Sequence, residues 1–187
     1  MSQVILLDDI SVIEALSKVK PGLQKYLYIR NLIYNVDVSK CADFKQAFNG
    51  FYRMRQRPQL FYDTFYRFME ENKYHSPTFE QALKFLFKEL DRVEASFSSK
   101  LVATINPELP IRDSIVLKNL GKKAPAYYRK TRLQETLELY DDIIKWYESY
   151  LKTEEANKII RFFDETYPNT GLTNVKKIDF VLWQIRD

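Results

Sequence analysis

Glycine is scarce in this 187-residue chain, which holds only four, and the shortage excludes two broad classes. So few cannot build a Gly-rich loop that cradles phosphates, and a turn-dense all-β fold needs more positions able to take a positive φ. A single cysteine, Cys41, rules out an intramolecular disulfide framework. A single histidine, His75, leaves too few ligands for a Cys/His zinc site within one chain. No stretch approaches the length that spans a bilayer, and the opening MSQVILLDDI has a short apolar run without a basic lead-in or cleavage pattern. The expectation is a cytoplasmic protein that is neither exported nor membrane-bound and needs no cofactor or metal.

What the chain has instead is aromatic bulk. Hydrophobic residues make up 45% and aromatics 15%, with 13 Tyr and 13 Phe, so the interior is expected to be packed with rings and the fold to be all-α. Net charge is +4, from 29 basic against 25 acidic residues, which permits a polyanionic partner without requiring one. The length suits one domain with a full core, or two small helical lobes sharing one. No repeat, low-complexity tract or linker interrupts it, so residues 1–187 read as a single interwoven helical domain.

Helical spacing and start signals divide the chain. Ser11 and Glu14 form a capping-box pattern ahead of Ile13, Leu16 and Val19, ended by Pro21-Gly22. Residues 23–35 carry apolar side chains at three and four spacing. Ser39 is the expected cap of a helix through Phe44, Phe48 and Phe51 that continues over Tyr52, Arg53, Arg55 and Arg57 to Pro58. Pro77 is expected at the first position of another helix, after an amphipathic segment at 60–71. Thr131 and Gln134 make a second capping box opening a helix to about Leu151, and Thr153 caps the next. Thr173 or Asn174 starts the last, which runs to Arg186 and turns Ile178, Val181 and Leu182 inward.

Several groups of polar residues invite a chemical reading. Arg53, Arg55 and Arg57 beside Tyr52 suit phosphate contacts, or simply answer the negative end of a helix. Lys122, Lys123, Arg129 and Lys130 surround Tyr127 and Tyr128 in a basic, irregular stretch. Those rings could stack on bases while the cations touch phosphates, or they could fold back onto the core. Glu71 and His75 have a spacing that can share a metal, although a surface histidine needs no such role. Glu135, Glu138 and Asp142 could hold a cation or serve acid/base work, or form a solvated face beside Arg132 and Lys145.

The most organised stretch is 93–121. A small-residue helix containing Ala95, Ser96, Ser98, Ser99, Lys100 and Ala103 is stopped by Pro107 and Pro110, which impose an extended corner. Asp113 then stands at the N-cap position of a short helix closed by Gly121. A carboxylate there is held as the anion by the amide end of the helix, which serves capping or the stabilisation of a developing positive charge.

This succession of small-residue helix, Asn-Pro corner, Pro110-Ile-Arg-Asp113 and short apolar helix resembles the helix-hairpin-helix DNA glycosylases. The resemblance implies that Asp113 matches the aspartate that assists attack on the sugar carbon bearing a damaged base. It makes Lys100 the nearest candidate for the amine of the bifunctional members, with Arg112 pairing with Asp113 or reaching a phosphate. The phosphate-binding hairpin of that family is glycine-rich, whereas residues 91–99 contain no glycine, and Lys100 lies a turn beyond the family's lysine position. The chain is also similar to bacterial proteins sharing an Ala-Ser-Phe-Ser-Ser-Lys element, here Ala95 to Lys100, and a Pro-Ile-x-Asp-Ser element, here Pro110 to Ser114.

Two functions are therefore expected. The first is a DNA-interacting protein, either a base-excision hydrolase using Asp113 or a descendant that only binds. Its backbone contacts would come from Arg53, Arg55, Arg57, Arg112, Lys122, Lys123, Arg129 and Lys130, with Tyr127 or Tyr128 beside an extruded base. The second is a non-enzymatic helical module of a bacterial regulatory or defence system, which binds a protein partner through an aromatic-rich groove.

Overall fold

A computed structural model describes residues 8–185. The apolar run at 4–7 and the helix end expected at Arg186 lie outside those residues. Ten α-helices and no strand occur among the described residues, so the fold is all-α and multi-helical as composition required. The chain divides into two compact units, the first joining Met1–Lys20 to Pro107–Asp187 and the second formed by Pro21–Asn106.

The second unit holds α2 (Lys20–Leu32), α3 (Ala42–Phe51), α4 (Gln59–Asn72), α5 (Phe79–Leu90) and α6 (Ala95–Ile105). Its core is built on Phe48, which meets the rings of Phe44, Tyr52, Phe65 and Tyr66 at centroid distances of 5.9, 4.6, 5.5 and 5.9 Å. Each such pair contributes about 0.5–1.5 kcal/mol beyond its buried area. Most of α6 is buried on every side, from Ser98 through Ile105, because its small side chains let neighbours approach closely. Desolvation of its buried hydroxyls is offset by hydrogen bonds, since Ser98, Ser99 and Thr104 donate to the carbonyls of Glu94, Ser96 and Lys100 at 2.9, 2.9 and 2.7 Å.

The first unit holds α1 (Asp9–Ser17), α7 (Ser114–Asn119), α8 (Arg132–Tyr150), α9 (Glu154–Thr166) and α10 (Asn174–Gln184). Helix α10 packs against α1, α7 and α9, and every residue from Val175 to Leu182 is buried. Ile178, Val181 and Leu182 point inward as their spacing predicted, but so do Lys176, Lys177 and Asp179.

Several start signals act differently from the sequence reading. Asp8 caps α1 by accepting from the amide and hydroxyl of Ser11, so Ser11 is a donor inside the helix and the Ser11–Glu14 box does not form. Asp37 takes the amide and hydroxyl of Ser39, which removes Ser39 as a cap and leaves α3 to start three residues later behind Cys41. Thr78 displaces Pro77 as the start of α5 by forming a full capping box with Gln81. Thr131 donates its hydroxyl to Glu135 and caps no backbone amide. Thr153 and Thr173 cap α9 and α10 through the amides of Ala156 and Lys176.

Candidate nucleic-acid interface

The corner at 107–113, within the first unit, is tied down by side chains reaching its backbone. Thr173 donates to the Pro107 carbonyl at 2.7 Å, and Tyr140 donates to the Pro110 carbonyl at 2.9 Å. The Ile111 amide donates to the Asp179 carboxylate at 3.3 Å. Each bond satisfies a backbone group that the two prolines keep out of any helix. Asp179 also accepts from the Tyr147 hydroxyl at 2.6 Å and from Lys176 Nζ at 2.8 Å, all in the buried interior. Burial pushes the Asp179 carboxyl above its ordinary value, while Lys176 and Tyr147 hold it back. Sequence reading missed this cluster. Its one local signal was a Lys and an Asp three apart, Lys176 and Asp179, in a turn that also holds Val175, Lys177, Ile178 and Phe180.

At the end of that corner Asp113 caps α7, its Oδ1 accepting the amides of Ile115 and Val116, both at 3.0 Å. The residue is 7% exposed. Arg112 beside it is half-buried, and burial together with Arg132 lowers the affinity of its guanidinium for its proton. Lys100 belongs to the second unit, where it is 5% exposed with its ammonium 5.4 Å from the Phe97 ring centroid and 5.8 Å from that of Tyr52.

The arginine cluster of the second unit does not lie on a helix. Helix α3 stops at Phe51, and residues 52–58 form a loop in which Arg53 and Gln56 both take φ of 55°. Left-handed backbone at two non-glycine residues is what breaks the expected helix. Arg53 and Arg55 face solvent between the buried Tyr52 and Met54, whereas Arg57 turns back into the unit. Its guanidinium makes a forked pair with Glu94 at 3.1 and 3.2 Å and lies 5.2 and 5.0 Å from the Phe61 and Phe97 rings.

The remaining basic stretch connects α7 to α8 in the first unit. Gly121, at φ 62°, closes α7 in a Schellman arrangement, its amide bonding to the Lys118 carbonyl and that of Lys122 to the Leu117 carbonyl. Further on, the Arg129 amide bonds back to the Ala126 carbonyl at 3.2 Å, which places Tyr127 and Tyr128 at the two central positions of a tight turn. The two residues are 75% and 87% exposed, the two highest values among the exposed large hydrophobic residues of the described chain. Arg132 lays its guanidinium 4.7 Å from the Tyr127 centroid. Arg129 pairs with Glu135 at 3.0 Å and Lys122 approaches Asp142 at 3.9 Å, while Lys123 and Lys130 are exposed to solvent.

Of the two readings open for these tyrosines, the structure thus gives the outward one. The acidic side of α8 is occupied by neighbours: Glu135 by Arg129 and Thr131, Glu138 by Gln134 at 3.0 Å. Among the described residues no group of three or more His, Cys, Asp or Glu could hold a metal ion, and His75 is exposed. No helix is long and apolar enough to cross a membrane among those residues. Between α1 and α9 lies an apolar groove of about 410 Å³, lined by Ile13, Leu16, Ser17, Phe162, Glu165 and Thr166. Comparison with protein-family models, with curated proteins and with solved structures finds no match for this chain.

Proposed function

We propose that this protein binds DNA through the loop between α7 and α8, on a helical scaffold resembling the helix-hairpin-helix DNA glycosylases, and that it binds without excising a base. The observation that carries the reading is the charge and exposure of that loop. From Gly121 to Arg132 it holds five Lys or Arg and no Asp or Glu, in a chain whose total charge is only +4. Glu135 and Asp142 answer two of the five and the half-buried Arg132 lies over the Tyr127 ring, which leaves Lys123 and Lys130 as the exposed cations beside two outward tyrosines.

The binding-only form is favoured by what Asp113 already does. Two amide bonds and 7% exposure account for it as the cap of α7, and an acid that must meet a sugar needs to be reached. Electrophoretic mobility shifts of labelled DNA across a salt series test the proposal. Affinity should fall steeply as salt rises, and Lys123→Ala with Lys130→Ala should flatten that dependence by roughly one salt exponent per lysine. No base should be released from a panel of lesion-bearing duplexes. Failure to bind any DNA at low salt would leave the helical protein-interaction reading, to which the groove between α1 and α9 belongs.

A further inference from the structure

Resting on the DNA reading above, we infer that the Tyr127-Tyr128 turn is a stacking platform for unpaired bases, so that the preferred ligand is single-stranded DNA and not intact duplex. Three features of the turn lead there. The backbone bond from Arg129 to Ala126 fixes a tight turn, so both rings are carried at its apex without a flexible stem. Tyr128 is 87% exposed, and Tyr127 is backed by the Arg132 guanidinium at 4.7 Å, which favours a ring held in place over one that swings. Lys123 and Lys130 stand on either side in sequence, one before and one after the tyrosines, as a backbone running past the rings would need.

The choice between strand states follows from which part of a base each protein group can use. In a duplex the ring faces are covered by neighbouring base pairs, and only the edges are open in the grooves, where hydrogen-bonding side chains on a helix or ribbon read them. A two-residue turn tipped with phenol rings offers π-faces, which find partners only on bases that have left the stack. An apolar protein surface could also cover two tyrosines. It would leave the ammonium groups of Lys123 and Lys130 with no phosphate and no acid from within the loop, which contains none between Gly121 and Arg132.

The test is fluorescence anisotropy of one labelled oligonucleotide, presented single-stranded and as a duplex with its complement, against the full-length protein at fixed salt. The wild type should bind the single strand more tightly. Tyr127→Ala with Tyr128→Ala should weaken single-strand binding by roughly 5-fold or more and abolish the preference, since one base stacked on one ring is commonly worth that much. Tyr128→Phe should keep the preference because the ring remains. Both positions are exposed, and unchanged thermal unfolding of the alanine variant would show that it folds. Equal affinity for both strand states, or a preference that survives the double alanine change, overturns this inference and leaves DNA binding standing. Absence of binding to either form overturns the DNA reading itself.

Discussion

The Tyr147 hydroxyl donates to Asp179 Oδ1 at 2.6 Å, and the two residues are only 2% and 3% exposed. A carboxylate so placed is tolerated because Lys176 lies 2.8 Å from its other oxygen and the Ile111 amide closes the remaining side. Through that amide, Asp179 couples α10 to the corner that delivers Asp113, so the cluster belongs to the positioning of α7.

This cluster should be visible in how stability depends on pH. Burial raises the folded Asp179 above its ordinary value of 3.8, so between 3.8 and the raised value the folded state holds more protons than the unfolded one. The group's contribution is therefore complete below 3.8 and is lost as pH rises through the folded value. Urea unfolding from pH 4 upward should show wild-type stability declining relative to Asp179→Asn, and curves that run parallel would contradict this account. Tyr147→Phe should cost about 1–3 kcal/mol by leaving a buried acceptor short of a donor.

Capping by Asp113 makes a graded prediction. Asparagine offers the same acceptor to the amides of Ile115 and Val116, so Asp113→Asn should lose only a few tenths of a kcal/mol, whereas Asp113→Ala should lose about 1 kcal/mol. Under the binding-only proposal neither change alters DNA affinity once the protein is folded. A large affinity loss in Asp113→Asn, with stability intact, would return this residue to the ligand.

Arg57 is expected to behave as part of the fold and not of the DNA surface. Its fork to Glu94, which is 7% exposed, and its place between Phe61 and Phe97 make Arg57→Ala destabilising by about 1–3 kcal/mol. Arg57→Lys should recover only part of that, because an ammonium can neither fork nor stack flat. A double-mutant cycle with Glu94→Gln should report coupling between the two residues, and additive losses would refute the pairing.

Gly121 is the last test. Its φ of 62° and the two backbone bonds that close α7 require a residue at ease in the left-handed region, so Gly121→Ala should lower stability by about 1 kcal/mol. Chemical denaturation of that variant decides it. An unchanged midpoint would mean that the loop leaves α7 by another route.

What the amino-acid order settled by itself is whatever depends on neighbours within about one helical turn. Apolar spacing specified the helices, Asp113 capped α7 because the amides that donate to it are two and three residues ahead, and Thr153 and Thr173 acted in the same way. Where two competent groups stood close together, the same local logic was ambiguous: Asp8 took the cap that Ser11 was expected to provide, and Thr78 outdid Pro77. Tertiary structure alone decided which charges are buried. Glu94 meets Arg57 from 37 residues away, and Asp179 meets Tyr147 from 32 away, so neither partnership leaves a trace in a short window. The alternation of Arg53, Arg55 and Arg57 read as one basic cluster, yet a pair of left-handed residues split it, two outward and one inward. The tyrosine turn was undecided for the same reason: a ring turns to the core or to water according to whether the packed helices leave room for it, and here they leave Tyr127 and Tyr128 outside.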